Sequence, residues 1–183
     1  MNTSLQLFCH QSFLRTGWLL VLGLLCIGLT ARAQCPTGDV TLSSQAQVNA
    51  FPPGCFTVPG NLRISGTDIT NLNSLSSLTS VGVSLFIRDN AALTSVSSLS
   101  GLRQVGGALQ IITNNALPSL NGLQSLTSVG VDLDIQSNAA LTSVSSLSGL
   151  RQVGHTLQIS LNNALPSLNG LQSLTSVGGS LII

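Results

Sequence analysis

The segment that decides the fold is Leu109-Gln110-Ile111-Ile112-Thr113-Asn114, in which two aliphatic residues separated by one spacer are followed by an asparagine. The same Leu-x-Ile-x-x-Asn pattern begins at Leu85, Leu133 and Leu157, and its first half returns at Leu181. The leucines therefore stand at 85, 109, 133, 157 and 181, a constant step of 24. A fixed period of this length is typical of a solenoid, in which every repeat forms one coil and stacks on the next.

Two different spacings of aliphatic residues coexist in each repeat. The Leu-x-Ile step alternates as in a strand, so that successive coils are expected to pair in a narrow parallel sheet at about 4.8 Å. The other spacing is a step of three, and an α-helix with that step would carry its apolar stripe around most of its surface. The step of three therefore predicts irregular, 3₁₀-like or extended segments; one such series is Leu93, Val96, Leu99, Leu102 and Val105.

The asparagine of the repeat is expected to stack from coil to coil. An inward asparagine can satisfy backbone groups that a turn leaves unpaired, and it can bond to the asparagine of the next coil. We therefore assign a structural ladder to Asn90, Asn114, Asn138 and Asn162. The first coil is less regular, because the step from Leu62 to Leu85 is one residue short of the period and Thr67 stands where an asparagine is expected. Glycines are expected at the corners, where a side chain is often forbidden: Gly101, Gly106, Gly122, Gly130, Gly149, Gly154, Gly170 and Gly178.

The composition narrows the classes of function. Charged residues make up 6% of the chain and hydrophobic residues 43%, and regularly spaced aliphatics at low charge favour an ordered core over disorder. After residue 33 the chain has four arginines and five aspartates, a net charge of 4 − 5 = −1, and no lysine. Because no basic patch is available to contact a phosphate backbone, nucleic acid is not an expected partner. No cofactor motif is found either.

Residues 1–33 have the pattern of a signal peptide. Arg15 precedes an apolar run over 17–29, and Ala31-Arg32-Ala33 places small residues at the −3 and −1 positions of a cleavage site. We expect cleavage between Ala33 and Gln34. The alternative is an uncleaved anchor, but a spanning helix needs about 20 apolar residues and this run has 13. The protein is expected to be secreted or displayed at the cell surface, and to meet a membrane only through this segment.

Residues 34–60 lack the 24-residue period and are expected to cap the solenoid, whose coils then occupy 61–183. Cys35 and Cys55 remain after cleavage and are expected to form a disulfide in an exported protein. No metal site is expected, since His155 is the only histidine after residue 33. A strand over 40–42 and a helix over 44–51 with Ser44 as its N-cap are predicted. Two phenylalanines in this segment, 51 and 56, suit the task of covering the first coil.

These residues resemble the receptor L domain family. The resemblance rests on the pattern Gly-x-Leu-x-Ile-x-x-Asn-x-x-Leu, followed by Leu-x-x-Leu-x-x-Val-Gly; residues 106–114 and 130–138 carry its Leu-x-Ile-x-x-Asn part, each with a preceding glycine. It extends over about residues 58 to 183 and implies a right-handed, leucine-rich-repeat-like parallel β-helix. Members of that family mostly bind proteins or glycans or serve as wall components, and the motif brings no catalytic residues with it. One cysteine pair and no Asn-x-Ser/Thr site after residue 33 favour the bacterial surface type.

Internal comparison indicates where a ligand would bind. Residues 93–106 are identical to 141–154, and 114–130 to 162–178. Between 85–135 and 133–183 every difference falls on an outward strand position or its immediate flank: 86/134, 88/136, 89/137, 107/155, 108/156, 112/160, 113/161, 131/179, 132/180 and 134/182. We predict a recognition surface for a protein or glycan on this face, made of Phe86, Arg88, Gln110, Ile112, Asp132, Asp134, Gln136, Thr156 and Gln158. The alternative is neutral divergence of a solvated face after a duplication.

Three other classes of function are weighed against this one. A polysaccharide-cleaving β-helix would need clustered carboxylates, for which only Asp132 and Asp134 on one strand are available, and no nucleophile–base pair is present, so no catalytic residue is assigned. Rows of Thr-Ser pairs that recur in every second repeat, such as 79–80 and 127–128, would suit a surface-lattice or ice-binding role. The third class is structural: Leu181-Ile182-Ile183 forms an uncovered strand, from which either further coils or end-to-end self-association is expected.

Overall fold

The computed structural model describes residues 34–183, and the expected signal peptide lies outside this range. None of the helices within 34–183 is long and apolar enough to cross a membrane. The strands and the helix are, in chain order, β1 (Val40–Leu42), α1 (Gln45–Asn49), β2 (Thr57–Val58), β3 (Leu62–Ile64), β4 (Ser80–Val81), β5 (Leu85–Arg88), β6 (Gln104–Val105), β7 (Leu109–Ile112), β8 (Ser128–Val129), β9 (Leu133–Gln136), β10 (Gln152–Val153), β11 (Leu157–Ser160), β12 (Ser176–Val177) and β13 (Leu181–Ile182).

The odd-numbered strands form a seven-stranded sheet, here called the large sheet, in the order β1-β3-β5-β7-β9-β11-β13. All of its pairs are parallel, and from β5 onward each residue pairs with the residue one full period later, as Leu85 does with Leu109. The shorter first coil is accommodated by pairing Leu62 with Leu85. The parallel β-solenoid predicted from the 24-residue step is therefore confirmed.

The second wall of the solenoid is a sheet that the sequence did not predict. The even-numbered strands, each of two residues, pair in parallel as a six-stranded small sheet in the order β2-β4-β6-β8-β10-β12. Each strand ends on a valine, and from β4 onward this valine closes a step-of-three series, as Val105 and Val129 do. Between the two sheets the chain makes 3₁₀ turns at Asn73–Leu75, Ser97–Leu99 and Ser145–Leu147, in agreement with the 3₁₀-like or extended segments expected from that step.

The core is a continuous column of aliphatic side chains between the two sheets. The repeat positions of the middle coils, from Leu93 through Leu157, are at most 1% exposed. Toward the last coil the same positions are only partly covered, as at Leu165 and Leu174, and Leu181 and Ile183 are 60% and 63% exposed. Burial of one such side chain contributes about 1.5–3 kcal/mol, so each coil is stabilised chiefly by the coils on its two sides.

The asparagines form a hydrogen-bonded ladder beside the large sheet. Asn114 is fully buried; its Oδ1 accepts from Asn90 Nδ2 at 2.9 Å and from Asn90 N at 3.3 Å. Its Nδ2 donates to the carbonyl oxygen of Ile87 at 2.9 Å. The residue before each ladder asparagine has a positive φ of 55–59°, an uncommon conformation that turns the asparagine into the core; in the repeat around Asn114 this residue is Thr113. The ladder reaches the irregular first coil at Gly66, whose N–H donates to Asn90 Oδ1 at 2.9 Å.

A column of glycines lets the backbones of successive coils approach closely. A Cβ added to Gly130 would collide with the carbonyl oxygen of Gly106, and Gly154 and Gly178 stand in the same relation to the corresponding glycine of the preceding coil. Their φ angles are not positive, unlike those of Gly122 and Gly170, at 120° and 123°. Glycine is thus required at the corners for two separate reasons, close approach in one column and a left-handed backbone in the other.

The segment 34–60 carries the disulfide and begins both sheets. Cys35 and Cys55 are bonded across a sequence separation of 20, so the predicted disulfide is confirmed, and closure of that loop removes roughly 3 kcal/mol of unfolded-state entropy. Ser44 caps α1 by accepting from Gln47 N at 3.3 Å. Phe51 is buried, but Phe56 is 63% exposed. The expectation that both phenylalanines cover the first coil is therefore wrong for Phe56.

Replacing a ladder asparagine is expected to be strongly destabilising. In the Asn114→Ala variant the amides of the coil before lose their acceptor and Ile87 O loses its donor, all in a buried position. Each unsatisfied buried group costs about 1–3 kcal/mol, so we expect the free energy of unfolding to fall by about 2–4 kcal/mol in urea titration. Asn163→Ala, at an exposed asparagine beside the ladder, is the matched control and should change stability by less than about 0.5 kcal/mol.

The glycine column can be tested in the same way. Gly130→Ala places a Cβ against the carbonyl oxygen of Gly106, and such overpacking typically costs about 1–3 kcal/mol. Gly38→Ala is the control, because nothing lies within 4 Å of the added carbon. We expect thermal unfolding to shift to lower temperature for Gly130→Ala alone. Equal midpoints for the two variants would contradict the close approach of the coils.

Candidate functional site

The outward side chains of the large sheet form two straight columns. Strand pairing aligns Arg63 with Phe86, and then Phe86 with Gln110, Asp134, Gln158 and Ile182 in turn. The second column contains Arg88, Ile112, Gln136 and Ser160. Neighbouring strands are about 4.8 Å apart, so successive residues of a column are separated by about this distance. This surface, here called the large-sheet face, brings together the strand residues of the predicted recognition surface.

One end of the large-sheet face is basic. The guanidinium carbon of Arg63 lies 4.4 Å from the centroid of the Phe86 ring, and that of Arg88 lies 5.1 Å from it. Within residues 34–183 neither arginine forms a salt bridge. A cation over an aromatic ring gains about 0.5–1 kcal/mol at an exposed site, so the two guanidinium groups are held together despite their like charge. We call Arg63, Phe86 and Arg88 the basic end.

Arg63 was not among the predicted site residues. Arg63 lies outside the 24-residue register because the first coil is one residue shorter. Leu85 therefore pairs with Leu62 and not with the residue 24 positions before it. The signal was nevertheless present, since Leu62-x-Ile64 is itself a strand step and its spacer must share the column of Phe86. His155 was also outside the predicted surface, in the turn before β11, and it contacts a residue within that surface.

The other end of the face is acidic and hydrogen-bonded. Asp132 Oδ1 lies 2.9 Å from His155 Nδ1 and accepts from the backbone N–H of Thr156 at 2.9 Å. These two hydrogen bonds, that with His155 first, lower the pKa of Asp132 below its ordinary value. The Asp132 carboxylate is thereby held in its charged form at the edge of β9 and β11.

Asp134 lies beside Asp132 in a different environment. Its carboxylate accepts from Gln136 Nε2 on the same strand. Burial raises the pKa of Asp134, the bond from Gln136 and the charge of Arg88 act in the opposite direction, and Asp132 adds a further small increase. Two neighbouring carboxylates thus have pKa values displaced in opposite directions. We call Asp132 and Asp134 the acidic end.

A shallow depression of about 210 Å³ lies at the acidic end. Its walls are made by side chains of three adjacent strands and the turns that precede two of them: Gln110, Asp132, Leu133, Asp134, His155, Thr156 and Gln158. Gln158 Nε2 donates to Ser160 Oγ at 3.2 Å, which orients its amide along the strand. The depression therefore presents carboxylate, amide and hydroxyl groups, the chemistry that recognises polar ligands.

Two polar atoms on the large-sheet face lack hydrogen-bond partners. Within residues 34–183 neither Arg88 Nε nor Gln110 Oε1 has a partner, although both atoms are buried. Unsatisfied buried polar atoms are uncommon in native proteins and call for an explanation. Both belong to β5 and β7, at and next to the basic end.

The carboxylates do not form a larger ligand cluster. Among residues 34–183 no group of three or more His, Cys, Asp or Glu side chains is arranged to hold a metal ion. Calcium takes six or more oxygen ligands, whereas Asp132 and Asp134 use oxygens to accept hydrogen bonds from their neighbours. The acidic end therefore has the chemistry of a hydrogen-bonding surface.

The threonine rows outside the large sheet have a structural role. Thr79, Thr127 and Thr175 each donate their hydroxyl proton to a backbone carbonyl of the preceding coil, at 2.9, 3.0 and 2.8 Å. Thr142 does the same toward Pro118 O at 3.0 Å. A hydroxyl that already donates within the chain is less available to an external lattice. These contacts weigh against the ordered hydroxyl surface considered for the Thr-Ser rows.

The two carboxylates are expected to respond to pH with opposite signs. Asp134 has a raised folded-state pKa, so its ionised form is a liability above that pKa and Asp134→Asn should stabilise the protein near pH 7. This gain should decrease as pH falls through the folded-state pKa and should be absent below the ordinary pKa of an aspartate, where the folded and unfolded states are both protonated. Asp132 has a lowered pKa, so Asp132→Asn should destabilise near pH 7, and the difference should disappear only at lower pH, below the folded-state pKa of Asp132. Urea unfolding from about pH 7 to about pH 2 measures both, and equal signs would contradict the two environments.

The architecture of the molecule indicates its fold class and the kind of environment in which it is stable. Residues 34–183 form a parallel β-solenoid of 24-residue coils with two sheets and a disulfide near its beginning. A disulfide of this kind is typical of an oxidising environment. Comparisons of the chain with protein families, with curated proteins and with solved structures found no match.

Proposed function

We propose that the protein is a non-enzymatic binding module, secreted or displayed at the cell surface, that recognises a protein or glycan on its large-sheet face. The observation that carries this proposal is the position of the internal differences. All ten pairs that differ between 85–135 and 133–183 belong to strands of the large sheet or to residues within two positions of them. A repeat protein that binds through one wall is expected to vary there and to keep its other walls uniform.

The exposed residues of the small sheet serve as a comparison for those of the large-sheet face. Its outward residues and the residues that directly precede them keep their identity between alternate coils, as in the pairs Arg103/Arg151 and Gln104/Gln152, and all four of these side chains are exposed. Neutral divergence after a duplication would affect every exposed wall. The concentration of change on the large sheet and on the turns that lead into it therefore favours selection on that wall over neutral divergence.

The chemistry of the large-sheet face also supports binding. Arginine and aromatic side chains are enriched among the residues that dominate interface energies, and both occur at the basic end. Amide and carboxylate groups line the depression at the other end, and such groups also bond sugar hydroxyls. The face is thus polar and varied, as expected for specific recognition of a hydrophilic partner.

Two features of the sequence also support the proposal, the export signal and the resemblance to a family of binding domains. The apolar run over 17–29 with its small-residue cleavage site and the disulfide are consistent with one another, because disulfides persist outside the cytosol. The resemblance to receptor L domains of the bacterial surface type supports a binding role over catalysis. In addition, the chain has no glutamate or lysine and one histidine after residue 33, a poor set for acid–base or nucleophilic chemistry.

Simultaneous replacement of Phe86, Arg88 and Asp134 by alanine tests the proposed surface. We expect binding to a glycan array, and to a panel of extracellular matrix proteins and host cells, to fall at least about tenfold in apparent affinity. Arg103→Ala with Arg151→Ala removes exposed cations beside the small sheet and should leave binding unchanged. Unchanged binding by the triple variant, or loss in the small-sheet control, would overturn the assignment of the site to the large-sheet face.

A further inference from the structure

The charges on the large-sheet face are arranged antisymmetrically about its middle strand. The basic end is centred on Phe86 in β5, the acidic end contains Asp134 in β9, and the strand between them is β7. The outward residues of β7 are Gln110 and Ile112, one amide and one apolar side chain. With strands about 4.8 Å apart, the oppositely charged ends are separated by about 10 Å.

We infer that the large-sheet face pairs with the same face of a second copy of the chain, about a two-fold axis that runs parallel to the strands over β7. This inference rests on the proposed function, because it names a protein partner for the same surface. A two-fold axis requires that if one residue contacts another, the reverse contact is also made. Rotation about this axis places β5 of each copy over β9 of the other and β7 over β7.

The contacts that follow from this arrangement are complementary. Arg88, which lies over the Phe86 ring, meets Asp134 of the second copy, and the same pair forms again on the other side of the axis. Ile112 packs against its own counterpart, as does Gln110. The alternative two-fold axis, parallel to the stack of coils, would place the arginines of both copies together, and like charges at close range are unfavourable. The charge pattern thus selects one axis.

Three further observations on the described residues agree with this pairing. Arg88 Nε and Gln110 Oε1 have no hydrogen-bond partner, and both residues lie next to or on the axis. Neither arginine of the basic end forms a salt bridge within residues 34–183 of its own chain, and the charge of Arg88 acts on Asp134 of that chain only from a greater distance. Other carboxylates near the basic end, Asp39 bonded to Asn61 and Asp89 after β5, occupy flanks and not outward strand positions.

The area of the face sets the strength of the association. Seven strands at about 4.8 Å and four residues at about 3.3 Å give a face of roughly 29 by 13 Å, or about 400 Å² on each copy. A total of about 800 Å² is below the roughly 1,200–2,000 Å² of a standard stable interface and is typical of weak complexes. The dimer is therefore a reversible one, which forms at high local concentration such as that on a crowded surface.

Charge reversal and its rescue test the inference by sedimentation velocity of the protein over about 10 µM to about 1 mM. We expect the wild-type protein to shift from monomer to dimer within this range. Arg88→Asp alone, or Asp134→Arg alone, should raise the dimer Kd at least about tenfold. An equimolar mixture of the two single variants should restore the dimer, since each then meets its opposite charge, and so should the double variant within one chain.

Controls separate this association from other effects. Arg103→Asp beside the small sheet and Leu181→Asp in the exposed last coil should both dimerise as the wild type does. A wild-type protein that stays monomeric, single reversals that dimerise normally, a mixture that fails to restore the dimer, or loss of the dimer in Leu181→Asp would each overturn the inference. Ligand binding by the glycan and matrix panel is read separately, so a monomeric protein whose panel binding still depends on Phe86, Arg88 and Asp134 would refute only the self-pairing.

Discussion

The hydrogen bonding of each coil to the next is the interaction on which this structure depends. A coil on its own has a two- to four-residue strand in each sheet, too short to be stable alone. Stacked in register, these strands complete both parallel sheets, and the ladder through Asn90, Asn114 and Asn138 satisfies the buried backbone groups beside the large sheet. A one-residue slip would turn the inward leucine and isoleucine of each strand outward, so the period must be kept wherever the core is buried.

This constraint divides the side chains into those that cannot change and those that can. The inward leucines, the ladder asparagines and the glycines of the close-approach column are all held by contacts with a neighbouring coil. The outward residues of the large sheet are not needed for the packing of the core. A rigid wall of evenly spaced side chains holds each outward group at a fixed position, which is the preorganisation that a recognition surface needs.

The charged groups on that wall have environments that their residue types alone do not indicate. Asp132 and Asp134 stand on either side of Leu133, yet their pKa values are displaced in opposite directions. The difference arises because His155, on the following coil, bonds to one carboxylate, while burial dominates for the other. Similarly, Arg63 and Arg88 share a single aromatic ring although they belong to different coils. Such pairings give the face a basic and an acidic end.

The sequence by itself determined the coil length, the inward positions, the parallel large sheet and the disulfide, because a strict 24-residue repeat of Leu-x-Ile-x-x-Asn leaves one register that turns the repeated leucine and isoleucine of every strand inward. The tertiary structure alone decided the rest. The small sheet depends on two-residue strands, which are too short for an alternation of apolar and polar residues to predict their pairing. Phe56 is exposed although a large apolar side chain in this segment suited the covering of the first coil. The partners of Phe86 and Asp132, Arg63 and His155, come from neighbouring coils, where contact depends on side-chain direction across strands and not on distance along the chain.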